Sequence, residues 1–468
     1  MKQGGMMFDV IIIGGGPGGY IAAEEAGILG LSTALIEKDT LGGTCLNRGC
    51  IPTKSMLNSI KLYKHAQHAS QFGITAQDVH LDFGTVMNWK NQTVAKLVAG
   101  IDFLMKKHAV TVYKGKGALL EPHKVRIEET GEVLEGTHII IASGSEPALP
   151  PLQGIADNPA VLTSDSILNL TTLPASLCII GGGVIGMEFA NFFASAGSDV
   201  HVIEMLPEVL PFMDSEAVSI YKRTLRGIDI HTDTKVLRLE GSTVVFEEHG
   251  TESSLTAEKI LIATGRKPVF DASAYEKLGI TCTKMGITVD DYCRTSVPNV
   301  WAIGDVTGRA QLAHTASAMG RAVSLYIAGM IKRNEKPEQG SVQIPWESFP
   351  WVVYGEPECA GVGLTETQAE KAGIEYVKAV IPARANGRFL AEQGQMAHGL
   401  CKMLTDKATK KIIGVHLVLP YAGEMIWGMQ YALMQGATVY DIAKTVFPHP
   451  TISEIMHDCV IALIAQLD

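Results

Sequence analysis

An α/β fold with two copies of one parallel strand–turn–helix unit, closed by an α+β segment, is predicted by three observations. The first is a repeat. Phe8-Asp-Val-Ile-Ile-Ile-Gly-Gly-Gly-Pro-Gly-Gly-Tyr20 and Leu177-Cys-Ile-Ile-Gly-Gly-Gly-Val-Ile-Gly-Met-Glu-Phe189 each read as a buried strand, a glycine turn and a helix start. Each holds G-x-G-x-x-G, at Gly14, Gly16 and Gly19 and again at Gly181, Gly183 and Gly186. The second is that each copy runs on to a strand ending in an acid, Ala34-Leu-Ile-Glu37 and His201-Val-Ile-Glu204, with 18 residues from last glycine to acid both times. One such glycine motif is weak evidence; two in matching settings, each with its acid in place, identify Rossmann-like dinucleotide-binding units. The third is a change of character near residue 341, where alternating strands such as Lys411-Ile-Ile-Gly-Val-His-Leu-Val418 mix with amphipathic helices and no phosphate loop follows.

Each element has a physical reason. The first glycine permits the tight turn, the second lets a pyrophosphate approach the backbone, and the third allows helix and strand to pack closely. The helix N-terminus adds N–H donors and the positive end of its dipole. The acid accepts from a ribose diol and repels a 2′-phosphate. Ile139-Ile-Ile-Ala-Ser-Gly-Ser-Glu-Pro147 and Ile260-Leu-Ile-Ala-Thr-Gly-Arg-Lys-Pro268 are a second repeated pair, strand then small-residue turn then proline, and are predicted to close the two units. Val297-Pro-Asn-Val-Trp-Ala-Ile-Gly-Asp305 supplies another buried strand ending in an acid, suited to a polyhydroxyl chain.

Length and composition set the bounds. A chain of 468 residues implies about three domains. Its 46% hydrophobic and 19% charged content is that of a compact globular protein. A formal net charge of −10 argues against a nucleic-acid partner, which needs a basic face. Residues 1–10 lack the apolar core and cleavage site of a signal peptide, and no apolar run reaches the roughly 18 residues of a membrane span. A cytoplasmic protein without membrane contact is the expectation. Eight cysteines are too few for a disulfide scaffold, so a functional disulfide here is predicted to be a redox one.

Two of those cysteines lie five residues apart in Gly42-Gly-Thr-Cys-Leu-Asn-Arg-Gly-Cys-Ile-Pro-Thr-Lys54. On an irregular helix start they can reach disulfide distance if the first turn is distorted. A helix N-terminus lowers a thiol pKa, and Lys54 about one turn on adds positive charge. A zinc half-site or two inert core cysteines are the alternatives. Zinc wants a second, closely spaced pair, and Cys178, Cys282, Cys293, Cys359, Cys401 and Cys459 are scattered, reading as small core residues. Near the C-terminus, Phe447-Pro-His-Pro-Thr-Ile-Ser-Glu454 offers His449 as a general base with Glu454 to orient it; a simple turn and a helix-capping acid are the alternative.

The Gly42–Lys54 stretch resembles the redox motif of the flavin-dependent pyridine nucleotide–disulfide oxidoreductases, closest to the dihydrolipoamide dehydrogenases. The resemblance covers essentially the whole chain, with Gly304-Asp305, Leu312-Ala-His314 and the C-terminal motif in family order. It implies a FAD-binding domain over 1–147 and 268–340, an NAD-binding domain over 148–267 and a C-terminal dimerisation domain over 341–468. It implies a FAD site formed by Gly14, Gly16, Gly19, Glu37, Lys38, Gly43, Thr44, Lys54, Gly117, Ser143, Gly144, Asp305 and Ala313. The implied NAD site is Gly181, Gly183, Val184, Ile185, Gly186, Glu188, Glu204 and Gly265, and no metal is implied. The implied catalytic set is Cys45 and Cys50 as the redox disulfide, His449 and Glu454 reaching the other subunit of a homodimer, and Lys54 with Glu188 beside the flavin. By this resemblance His449 deprotonates a dihydrolipoyl thiol, the thiolate attacks Cys45, and electrons pass by Cys50 and FAD to NAD⁺.

Among relatives, Glu204 and the arginine-free Met205-Leu-Pro-Glu208 favour NAD over NADP, and Val184 with Gly186 match the lipoamide enzymes rather than the glutathione type. Mercuric reductases carry a C-terminal cysteine pair; this chain ends Cys459-Val-Ile-Ala-Leu-Ile-Ala-Gln-Leu-Asp468 without one. Ser143, Arg48 and Met319 depart from the commonest lipoamide pattern, at positions expected to bear on cofactor affinity and potential rather than on the reaction. A flavoprotein scaffold is the reading from another class, and the retained Cys45, Cys50, His449 and Glu454 disfavour it. Which lipoyl-bearing protein is served, that of a 2-oxoacid dehydrogenase or of a glycine-cleavage system, is not written in the chain.

Overall fold

The computed structural model describes residues 7–339 and 342–467. Residues 1–6, on which the absence of an export signal partly rests, and the 340/341 boundary lie outside the described residues. Three main sheets organise the chain. In the first, the strand Met7–Ile13 pairs in parallel with Thr33–Glu37 on one side and Val133–Ile141 on the other. The run Val10–Ile13 is buried on both faces, as an apolar strand between two layers must be. The helix Pro17–Ile28 covers one face and is itself covered by the helix Ala313–Arg333, where a Cβ on Gly320 would lie 2.5 Å from the Gly18 carbonyl oxygen. Only glycine lets these helices cross so closely.

The second sheet has five strands, all parallel, in the order Ile228–His231, Asp199–Ile203, Ser176–Ile180, Lys259–Ile262, Val161–Thr163. The helix Val184–Ala196 repeats the role of Pro17–Ile28. The chain leaves the first sheet after Val133–Ile141, builds the second, and returns to the first as Val300–Ala302, parallel to Val133–Ile141. At both crossings it forms a short strand, and the two crossings pair with each other: Ser145–Pro147 lies antiparallel to Arg266–Pro268. The repeated strand–turn–proline motifs thus join the two units as well as close them. The returning strand is shorter than expected, and Asp305 stands on the 3₁₀ turn Gly304–Thr307 beyond it, because Gly304 takes a positive φ of 72° and ends the extended run.

The third sheet is five-stranded and antiparallel, in the order Trp351–Val353, Glu358–Gly363, Ile412–Leu419, Leu400–Asp406, Tyr376–Pro382. The strand Ile412–Leu419 alternates, but between two buried environments rather than between core and water. Val415, Leu417 and Leu419 join the core with the helices Ala422–Met434 and Glu454–Leu467, while Val418 joins the core of the second nucleotide-binding unit. No helix among the described residues is long and apolar enough to cross a membrane.

Candidate active site

Both glycine loops open on one cleft of about 1990 Å³ that also contains Cys45, Cys50, Lys54 and Glu188. The volume exceeds the roughly 300–1,000 Å³ of a single small-molecule pocket, as two dinucleotides require. The loops distribute their glycines alike. A Cβ on the first glycine would lie 2.3 Å from a carbonyl oxygen in one copy (Gly14 against Ala142) and 2.5 Å in the other (Gly181 against Ala263). On the third it would lie 1.8 Å (Gly19 against Gly14) and 2.0 Å (Gly186 against Gly181) from one. Over the second glycine the space is open: Gly16 meets only the Gly43 Cα at 3.8 Å, and Gly183 meets nothing within 4 Å. The helices behind begin on these second glycines with no side-chain cap, which leaves their first N–H groups for a ligand.

The two acids behave as a pair. Glu37 accepts from the Gly15 N–H at 2.6 Å and the Asp39 N–H at 2.7 Å; Glu204 accepts from Gly182 at 2.6 Å and Leu206 at 2.8 Å. Each carboxylate oxygen spends one lone pair on its own loop and keeps another for a diol. The residues therefore fit a pyrophosphate and a ribose diol twice over.

The cysteine motif is two helices, not one distorted start. Gly43–Arg48 ends at Gly49, and Cys50–Gln67 begins immediately after it. A Cβ on Gly49 would lie 3.0 Å from the Thr44 carbonyl oxygen, which fits glycine to the break. Asn47 donates to the carbonyls of Leu41 and Gly43, both at 3.0 Å, and pins the short helix to the loop before it. The break folds Cys50 back toward Cys45, with Cα atoms 4.7 Å apart and a disulfide between them. One turn on, Lys54 Nζ meets both oxygens of the buried Glu188, at 2.9 and 2.8 Å. Glu188 also accepts from the Tyr354 N–H at 3.0 Å, and the Lys54 ammonium lies 4.6 Å from the Tyr354 ring centroid.

Of the residues expected to hold FAD, Glu37, Lys38, Gly43 and Thr44 line the cleft, as do Gly117, Ser143, Gly144, Asp305 and Ala313. Of those expected to hold NAD, Val184, Ile185, Glu204 and Gly265 do the same. Gly19 and Gly186 do not touch the cleft; they are the packing glycines beneath it. His449 and Glu454 stand apart from it. His449 Nδ1 lies 2.9 Å from Glu454 Oε1, and the other Glu454 oxygen accepts from the Thr451 N–H at 2.8 Å. The Thr451 N–H first, then the His449 bond, hold the Glu454 carboxyl below its ordinary value. The His449 side chain is 82% exposed and does not line the cleft that holds its own chain's disulfide.

Sequence reasoning missed Tyr354 and Arg266. Arg266 donates from Nε to Ser145 Oγ at 2.8 Å, and from Nη2 to the Ser145 carbonyl at 2.7 Å and to Thr44 Oγ1 at 3.3 Å. A signal was available: Arg266 and Ser145 hold the same place in the two repeated turns, one residue after the shared glycine.

The described geometry agrees with what comparison with known proteins finds. Residues 8–320 match the model of the pyridine nucleotide-disulphide oxidoreductases, and residues 349–460 match that family's dimerisation domain. A dihydrolipoyl dehydrogenase of Bacillus subtilis is 38% identical over 457 residues, covering 96% of this chain and 94% of that protein. The mitochondrial dihydrolipoyl dehydrogenase of Pisum sativum is 38% identical, covering 97% and 91%. Among solved structures, the Cu(II) complex of the HOCl-induced flavoprotein disulfide reductase RclA from Escherichia coli superposes with a TM-score of 0.84 at 28% identity, covering 98% of this chain and all of that one. With both family models matched in order and a redox disulfide between two dinucleotide loops, the chain belongs to the pyridine nucleotide-disulphide oxidoreductase family.

Proposed function

We propose that this protein oxidises a protein-bound dihydrolipoyl group to the lipoyl disulfide and reduces NAD⁺, through FAD and the Cys45–Cys50 pair. The observation that carries this reading is the disulfide itself, set in the cleft onto which both dinucleotide loops open. The names of the similar B. subtilis and pea proteins point to the same substrate. Bound FAD and NAD⁺ supply the acceptance of an electron pair and its transfer as hydride.

The chain's own residues move the thiol protons. His449 of a partner subunit takes the proton from one dihydrolipoyl thiol, with Glu454 fixing its tautomer through Nδ1. The thiolate attacks Cys45 Sγ, the Cys45–Cys50 bond breaks, and Cys50 leaves as a thiolate. The second dihydrolipoyl sulfur attacks the mixed disulfide at the substrate sulfur, its proton passing to the departing Cys45 sulfur, which leaves as a thiol. The lipoyl group is then oxidised and the protein pair reduced, two electrons on each side. Lys54, held by Glu188, provides a fixed positive charge one turn from Cys50.

The homodimer in this reading is supported by the matched dimerisation domain and by an apolar face on it. Trp427, Tyr431 and Met434 follow one another along the helix Ala422–Met434 in exposed positions, with Val446 exposed just before His449. The divisions at 147 and 267 are supported by where the chain passes between the first two sheets. Glu204 supports NAD over NADP, and a cytoplasmic setting agrees with the absence of a membrane-crossing helix among the described residues. The partner is a lipoyl-bearing protein of a 2-oxoacid dehydrogenase or glycine-cleavage system.

The test is an assay of NAD⁺ or NADP⁺ reduction by dihydrolipoamide, beside arms that follow NADH and NADPH oxidation by glutathione disulfide and by Hg²⁺. Turnover with dihydrolipoamide and NAD⁺ far above the other arms is expected. A protein that turns over only in the glutathione or Hg²⁺ arm would be a different disulfide reductase, the reading that likeness to RclA keeps in play.

A further inference from the structure

We infer that Arg266 is the positioning residue of the first cofactor site, holding Asp305 as an ionised acceptor and fixing Ser145 and Thr44 beside it. The inference rests on reading this part of the cleft as the FAD site. A continuous chain of donors runs through it: Arg266 Nε donates to Ser145 Oγ at 2.8 Å, and Ser145 Oγ donates to Asp305 Oδ2 at 2.5 Å. From the same guanidinium, Nη2 reaches the Ser145 carbonyl and Thr44 Oγ1. A planar fork with five N–H groups can hold a carbonyl and two hydroxyls at once; a lysine ammonium on a flexible stem cannot hold this set in one geometry.

Burial makes the arrangement necessary. The Arg266 side chain is 12% exposed, and Asp305 lines the same cleft. Burial pushes the Asp305 carboxyl up, and the Ser145 hydroxyl and the Arg266 charge work against it. The other charges facing Arg266 are Asp165, 4.0 Å from Nη1, then Arg48, which repels it, and Glu146. Asp165 also lies 3.7 Å from Arg48, so it is shared between two arginines, while Arg266 is linked to Asp305 through the Ser145 hydroxyl. An ionised Asp305 is acceptor-only and suits a polyhydroxyl chain; a protonated one becomes a donor and loses an acceptor.

The location adds a consequence. Gly265, on the NAD side of the cleft, is the residue before Arg266, and the strand Arg266–Pro268 pairs with Ser145–Pro147. One dipeptide thus borders both cofactor sites.

The experiment follows flavin release from the holoenzyme by fluorescence after dilution, from pH 8 down to pH 5. It compares the wild type with Arg266→Lys, Arg266→Gln, Asp305→Asn and the Arg266→Gln/Asp305→Asn double variant, all checked for folding by circular dichroism. Wild-type release is expected to be flat. Arg266→Gln is expected to accelerate on acidification, by about tenfold per pH unit where one proton is taken up, and Arg266→Lys to restore part of the flat range. The double variant should lose the pH dependence, because the titrating group is gone. A flat Arg266→Gln profile, or an acid acceleration that persists in the double variant, overturns the inference. A wild-type protein that binds no FAD overturns the reading of the site instead, so the two failures are distinct.

Discussion

Lys54 and Glu188 meet across 134 residues of sequence and carry the most exacting single contact of the site. Glu188 is 4% exposed and sits between the Lys54 ammonium and the Tyr354 N–H, so removing it takes the acceptor from the N–H and leaves the ammonium only the Tyr354 ring. Glu188→Ala is expected to cost about 3 kcal/mol, the low end for breaking a buried pair, since the Lys54 side chain keeps 29% exposure. Denaturant midpoints with unchanged slope would check it. Cys50→Ser should stop dihydrolipoamide-linked turnover while flavin stays bound, and normal turnover in that variant would sink the thiol pathway. His449→Ala should lower kcat/KM by about 10²–10⁴-fold, the worth of a positioned general base, with flavin content unchanged.

Among elements, the turns are stricter than the helices behind them. Gly14 combines a φ of +104° with the Ala142 carbonyl oxygen 2.3 Å from any added Cβ, so neither rotation nor a small shift accommodates a side chain. Gly14→Ala should destabilise the protein by about 1–3 kcal/mol from backbone strain alone and strip it of FAD. A thermal melt with flavin content measured before and after gives the answer, and a variant with native Tm and full flavin would refute the role. The cysteine segment shows the opposite economy. A continuous helix from Gly43 would carry Cys45 and Cys50 in different directions, and the interruption at Gly49 brings them together.

At the level of the whole molecule, one buried lysine ties the second nucleotide-binding unit to the C-terminal sheet. The Lys402 side chain is fully buried, and its ammonium bonds Asp214 at 2.7 Å, Glu216 at 3.1 Å and Glu366. These three carboxylates are close enough together to hold a cation, and the lysine is that cation. Burial works against ionisation of Asp214, but the Lys402 hydrogen bond and charge keep it below its ordinary value. Glu366 is likewise opposed by burial and is drawn from 4.5 down to about 2 by Lys378, Lys402 and Tyr376. Depressed carboxylates contribute stability above their unfolded values and lose it as pH falls through the folded ones. The acid limb of a Tm–pH curve should therefore drop between pH 4.5 and about 2. Lys402→Met, which takes the only described cation from buried Asp214 and leaves Glu366 to Lys378 and Tyr376, should cost about 3–5 kcal/mol at neutral pH and make that limb shallower. The proposed homodimer has a test of its own. Coexpressed Cys45→Ser and His449→Ala subunits should regain about a quarter of wild-type activity, because half the dimers are hybrids with one of two sites intact. No recovery despite hybrid formation would show that His449 does not act across subunits.

What was legible in the sequence is what short-range chemistry dictates. Two glycine motifs, two acids at equal spacing and a cysteine pair need their residue types because a backbone must admit a phosphate, a carboxylate must meet a diol and a thiolate must meet a disulfide. Local demands of this kind are written into consecutive residues. Contacts between distant segments are not. Tyr354 under Lys54, the Lys402 network between two units, Arg266 clasping Ser145, and the seating of His449 away from its own disulfide depend on how sheets pack. Each of these side chains is ordinary in its local context. Burial and a partner far along the chain decide what it does, and only the folded arrangement of the three sheets supplies both.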